Sequence, residues 1–187
     1  MTTAYGVDAL RYFLMREVGF GHDGSVSEEA LVTRVNAELA NSFGNLAQRS
    51  LSMVFKNLDG VIPSAGEELE DIALQAAVDQ GCAALATEFD RFAFSAGIEA
   101  WMGAVFACNA FVDVQAPWAL KKTNPERMAQ VLGTVVAAVQ TLAVAIAPVV
   151  PESAARLLEL IASGSDGAPI AQPVPAFPRL ELAGAET

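Results

Sequence analysis

The sequence predicts an all-α protein: a bundle of about five helices, with a short helix ahead of it and an extended segment behind it. Three features lead there. Apolar residues recur at the 3.6-residue helical period over long stretches, Gly- and Pro-bearing clusters separate those stretches, and no strand alternation or internal repeat is convincing.

Residues 1–24 read as a helix over about 7–17 followed by the glycine-spaced loop GFGHDG. Leu10, Phe13, Leu14 and Val18 form an apolar side, and so short a helix needs a neighbour to bury it. A long helix comes next. Ser25, at capping-box spacing from Glu28, or Ser27 can cap it, and Glu28 and Glu29 suit its positive end. It runs to about Asn57, where LDGVIPS supplies Gly60 and Pro63 as stops. Leu31, Val35, Leu39, Phe43, Leu46, Leu51 and Val54 keep to one side of it with the slow drift of a straight helix. Gly44, in the middle, costs about 1 kcal/mol against Ala and leaves room for a kink or a close neighbour.

A second helix is expected over about 67–87, opening with EELED, and a third over about 92–114 after the polar break EFDR. Ala73, Ala76, Ala77, Ala83 and Ala84 make the second slim, whereas Phe94, Ile98, Trp101, Val105, Phe106 and Phe111 make the third bulky, as if large were to pack against small. Trp101 is expected in the core. Pro117 ends the third helix, and Asn124 as cap with Pro125 in the first turn opens a fourth that ends near Ala147. A fifth spans about 152–162 and stops at Gly164. The organisation expected is a leading piece over 1–24, the bundle over 25–163 and an extended tail over 164–187, pinned at Phe177.

Composition narrows the function. A formal net charge of −11 and a pI near 4.4 argue against holding nucleic acid by bulk electrostatics, so any such contact must be local and specific. Cys82 and Cys108 have no CxxC spacing and no His partner, which predicts buried free thiols in a reducing compartment and no metal site. His22, between Gly21 and Asp23 with no nucleophile near it, reads as a solvated loop residue. The acidic residues Glu67, Glu68, Glu70 and Asp71 fall at a helix start, where their role is ordinary. The most span-like run, 131–150, contains Gly133, Thr134, Gln140, Thr141 and Pro148 and reads as a buried bundle helix. A soluble, cytoplasmic protein without a membrane partner is expected.

Two stretches resist a purely structural reading. On the long helix Asn41, Asn45 and Arg49 stack at i, i+4 spacing opposite the apolar side, beside Arg34, Glu38, Ser52 and Lys56. That stripe is either a plain solvated face or a hydrogen-bonding surface. In FVDVQAPWALKKTNPERM, Trp118 follows Pro117 directly and Lys121 and Lys122 stand close behind. This indole either plugs the bundle end or stacks on a nucleobase.

At these residues the chain resembles the methionyl-tRNA synthetases, in the region after the catalytic domain that carries the helical anticodon-binding domain. AYGVDALRYFLMREVGFGHDG is similar to the end of the catalytic core and its junction, RVNAELANSFGNLAQR to the first anticodon-domain helix, NAFVDVQAPW to the corner ending in Pro-Trp, and PAFPRLE to the end of the core enzyme. The resemblance implies a class Ia anticodon-binding bundle. It implies that Asn45 and Arg49 read the first base of a CAU anticodon, that Trp118 after Pro117 stacks on it, and that Asn41 and Asp113 support the surface. The partners implied are the anticodon loop of tRNA(Met) and the catalytic domain of the same enzyme.

No HIGH-like segment, KMSKS-like loop or zinc-binding cysteine cluster occurs in these residues. No catalytic residue, metal ligand or cofactor is therefore expected in this chain, while ATP and zinc belong to the complete enzyme. Met1 falls almost where the catalytic core ends, so a fragment is expected, inactive by itself and monomeric. The alternative is an acidic, non-catalytic bundle descended from a synthetase that docks on a protein partner through the apolar side of residues 7–18.

Overall fold

A computed structural model describes residues 2–17, 26–164 and 167–182. The expected GFGHDG loop with His22, together with Val18 and Ser25, lies outside the described residues. The chain is all-α, and the described residues form no strand. In order the helices are α1 (Thr2–Tyr5), α2 (Val7–Glu17), α3 (Glu28–Val35), a π-helical segment (Asn36–Gly44), α4 (Asn45–Asn57), α5 (Leu69–Asp90), α6 (Phe94–Gln115), α7 (Pro117–Thr123), α8 (Pro125–Ile146) and α9 (Pro151–Ala162).

Helices α3, π and α4 form one uninterrupted rod, the expected long helix, capped by the Ser27 hydroxyl, which accepts from the Ala30 N–H at 3.1 Å. The expected straight helix is corrected here. Leu31, Val35, Leu39, Phe43, Ala47 and Leu51 are all buried, at an unbroken spacing of four. At 3.6 residues per turn each step of four overshoots by about 40°, so five steps would swing a straight α-helix by about 200° and carry one end of the row into solvent. The wider π turn winds the row back. The same correction keeps Asn41, Asn45 and Arg49, two residues behind buried ones, exposed along one line.

Gly44 closes the π segment and receives the tail. A Cβ there would lie 2.8 Å from the Leu39 carbonyl oxygen and 3.0 Å from the Cβ of Phe177. Phe177 is buried against Phe43 at a ring separation of 5.3 Å, and Phe43 meets Trp101 edge-on at 5.0 Å. The pin expected at Phe177 is therefore present. Lacking a strand partner, the tail satisfies its backbone on side chains: Asn36 donates to the Leu180 carbonyl and accepts from its N–H at 2.9 and 2.7 Å, Gln48 donates to Pro173 at 3.0 Å, and Arg156 donates to Ala176 at 3.2 Å.

Helix α8 is the centre of the bundle, with most of its apolar residues buried, and its Leu142 carbonyl accepts from the fully buried indole of Trp101 at 3.0 Å. By length and composition α8 and the stretch Phe94–Thr123 could each cross a membrane, but 61% of the apolar window of α8 is buried inside the protein. The large-against-small expectation is corrected. In the middle of the α5–α6 contact small meets small, since a Cβ on Gly81 would lie 2.8 Å from that of Ala104, and at its end the large residue is on α5, where Phe89 packs on Gly97. Ile98, Trp101 and Val105 turn to the core instead, and Phe106 is half exposed.

Helix α2 packs on α3, α6 and α9, burying Ala9, Tyr12 and Phe13, while Leu14 is partly exposed. Glu38, expected on the outer face, is buried: Tyr12 donates to it at 2.7 Å and Arg16 and Arg34 pair with it at 3.1 Å each. Burial and the Glu38 charge push the Tyr12 phenol well above its usual range. This cluster bolts α2 to the long rod. Asp8 adds a second bolt, accepting from the Ser153 N–H at 2.7 Å at the start of α9.

Candidate nucleic-acid interface

The chain has six asparagines, and the structure sorts them. Asn36 holds Leu180, Asn57 and Asn109 donate to carbonyls one turn back at 2.9 and 3.0 Å, and Asn124 caps α8 at 3.1 Å. Asn41 and Asn45 alone keep exposed side-chain amides with no hydrogen bond to the rest of the described residues. An exposed amide that could bond locally and does not leaves both donor and acceptor open to a ligand.

The cations sort the same way. Arg16, Arg34, Arg91 and Arg127 are paired with carboxylates, and Arg11 and Arg156 donate to backbone carbonyls. Arg49, Lys56, Lys121, Lys122 and Arg179 have no carboxylate partner among the described residues. Lys56 lies two turns beyond Arg49 on the same face of α4, and Lys121 and Lys122 follow Trp118 by one turn of α7. In a strongly acidic chain, the unneutralised positive charge thus borders the asparagine stripe.

The two stretches singled out in the sequence meet. The Arg49 guanidinium carbon sits 5.6 Å from the centroid of the Trp118 ring, within the range of a cation–π contact. The indole is 48% exposed, so it does not plug the bundle. Pro117, buried, is the first residue of α7 and sets its start, while the preceding Ala116 turns the chain out of α6 with φ 44°. Asn45 is one turn, about 6 Å of helix rise, before Arg49.

Asn41 and Asn45 share a groove of about 350 Å³ with Gln48, Pro175, Phe177 and Arg179. The tail thus forms one wall of the groove beside Asn41 and Asn45. Arg179 and Gln48 were not singled out in the sequence. Only the tail's fold-back brings Arg179 there, and no local pattern announces that. Asp113 is exposed in the last turn of α6, and no hydrogen bond or ion pair ties it to Asn45 or Arg49.

The arrangement presents open hydrogen-bond donors and acceptors, unpaired cations and a stacking face to a ligand. Burial pushes the Cys82 thiol up to about 11 and the Cys108 thiol up to about 12, which keeps both protonated at neutral pH. Among the described residues no three His, Cys, Asp or Glu side chains gather as a metal site.

Comparison with known proteins shows the family. The family model described as the anticodon binding domain of methionyl tRNA ligase matches residues 62–176, and that of class I (M) tRNA synthetases matches residues 1–51. A methionine–tRNA ligase of Mesorhizobium japonicum is 51% identical over 166 residues, covering 87% of this chain and 32% of the relative. One of Rhizobium meliloti is 41% identical over 191 residues, covering 94% and 37%. The crystal structure of the apo form of Mycobacterium tuberculosis methionyl-tRNA synthetase superposes with a TM-score of 0.88 at 41% identity, over 97% of this chain and 40% of that one. The chain spans about a third of the length of the curated relatives it matches. With a family model over most of its length and the same helices in a solved relative, the chain belongs to the methionyl-tRNA synthetase family and carries its anticodon-binding domain.

Proposed function

We propose that this chain selects tRNA(Met) by reading the first base of its CAU anticodon, for an ATP-dependent methionine–tRNA ligase whose catalytic residues lie outside this sequence. The observation that carries the proposal is the contact of Arg49 with Trp118, which joins two distant stretches into one exposed surface. An unpaired cytosine offers a carbonyl oxygen, a ring nitrogen and an amino group. The Asn45 amide donates and accepts and the Arg49 guanidinium presents several donors, so together they match that edge. Trp118, set by Pro117, supplies a stacking face, Asn41 extends the polar stripe toward the neighbouring nucleotide, and Asp113 borders the corner. Unpaired loop bases expose the edges and faces such a site needs. Lys121, Lys122 and Lys56 provide local charge for the backbone in a chain whose net charge is −11.

In this reading the partners are the anticodon loop and the catalytic domain, ATP and any zinc are held by the rest of the enzyme, and the protein works in the cytoplasm as a monomer without a membrane. The protein-docking alternative has less to build on, because Ala9, Tyr12 and Phe13 of α2 are buried in the chain itself and leave Val7 and Leu14 as its exposed apolar residues among those described.

The test is titration of the chain with anticodon stem-loops carrying CAU, GAU or UAU, followed by fluorescence anisotropy. Tighter binding of CAU than of either variant is expected. Equal affinity for the three would refute the proposal.

A further inference from the structure

Arg127, in the first turn of α8, has a side chain only 7% exposed. Arginine is rarely so buried unless paired. Its guanidinium reaches three acceptors: Nη1 donates to the fully buried Asp71, Nε lies 3.4 Å from Glu68, and Nη2 donates to Oε1 of Gln115 at 3.0 Å. Asp71 also accepts from the Thr134 hydroxyl at 2.8 Å. The carboxylates satisfy the charge, so the Gln115 bond is not needed for neutrality.

Its place in the fold gives it another role. Gln115 is the last residue of α6, and the next residue, Ala116, holds φ 44° and ψ 59°. A non-glycine residue in that left-handed region costs about 1–2 kcal/mol and persists only where its surroundings over-determine it. After Ala116 come buried Pro117 and exposed Trp118, and α7 ends at Thr123, just before Asn124, whose side chain accepts from the Arg127 N–H at 3.1 Å. Arg127 thus holds the chain on both flanks of α7, by its side chain at Gln115 and by its backbone at Asn124.

We propose that Arg127 is a positioning residue for Trp118: through Gln115 it fixes the strained α6–α7 corner and thereby the angle at which the indole meets Arg49 and a stacked base. The consequence for binding rests on the base-reading proposal above, whereas the positioning itself can be measured without RNA. Arg127 is not the residue to change, since its loss leaves the Asp71 carboxylate buried and unpaired. Gln115→Met keeps the length of the side chain and removes the acceptor, and Gln115→Glu restores an acceptor.

The full chain labelled with 5-fluorotryptophan has two fluorine resonances, from Trp101 and Trp118, the latter assigned with Trp118→Phe. In Gln115→Met the Trp118 resonance is expected to shift or broaden while that of Trp101 stays, with CAU stem-loop binding weaker by about threefold to tenfold. Gln115→Glu is expected to return both toward wild type. An unchanged Trp118 resonance in Gln115→Met overturns the proposal, and so does equal broadening of both resonances, which would assign Gln115 to the bundle as a whole. If the wild-type chain binds CAU no better than GAU, base reading fails, and the fluorine spectra still decide the positioning.

Discussion

Among the described residues, Arg49 presents its guanidinium beside an indole with no carboxylate to satisfy it, and Asn45 presents an amide with no hydrogen-bond partner. At the residue scale, what marks the site is potential left unspent, because side chains of both kinds elsewhere in the chain are engaged. Spacing in the sequence placed Asn41, Asn45 and Arg49 on one face, but it could not separate free amides from bonded ones. Asn36 shows why: its partner, Leu180, is at the far end of the chain. The thiols make a separate prediction. Burial raises Cys82 to about 11, with Asp79 adding to it, and Cys108 to about 12, from an ordinary 9.0. Both folded values lie above the unfolded one, so the stability contributed is complete below pH 9 and is lost as pH rises through about 11 and 12. Melting temperature is therefore expected to fall more steeply between pH 9 and 11 in the wild type than in a Cys82→Ala/Cys108→Ala variant. Parallel curves would contradict this. Tyr12, also raised by burial, acts in the same direction in both proteins, so it does not affect the comparison.

At the scale of elements, the long rod was legible as a helix and illegible as a π-helix. Its apolar row reads equally as drift along a straight helix, and the signal that would have told them apart is the unbroken four-residue spacing including Ala47, a residue too small to mark a face by itself. Gly44 belongs to the same problem. In an isolated helix Gly44→Ala would gain about 1 kcal/mol. Here the added carbon meets the Leu39 carbonyl and the Phe177 side chain, so a net loss of about 1–3 kcal/mol is expected. Chemical denaturation of the variant checks it, and a stabilised Gly44→Ala protein would show that the tail does not lie where the structure puts it. The α5–α6 pair differs from its expected packing for a related reason: Ala and Gly on one helix suggest a bulky neighbour, but small residues facing each other around Gly81 and Ala104 let the backbones approach instead.

At the scale of the whole molecule, the bundle, its helix order and the pinned tail followed from periodicity, caps and stop signals, which are local. The site followed only from motif order, because its parts lie on the rod, on α7 and on the tail, and their meeting is set by long-range packing. That packing also bears on the charge balance, since Arg16, Arg34, Arg91 and Arg127 are paired with carboxylates, whereas the cations around Trp118 and the asparagine stripe have no carboxylate partner among the described residues. The central claim is that Arg49 and Trp118 act as one reader of one base. A double-mutant cycle of Arg49→Ala and Trp118→Ala on the affinity for a CAU anticodon stem-loop tests it most directly. Each substitution is expected to weaken binding, Trp118→Ala by about 1–3 kcal/mol, and the two together are expected to cost less than their sum by more than about 0.5 kcal/mol. Strictly additive losses, or a Trp118→Ala chain that binds CAU as tightly as the wild type, would contradict it.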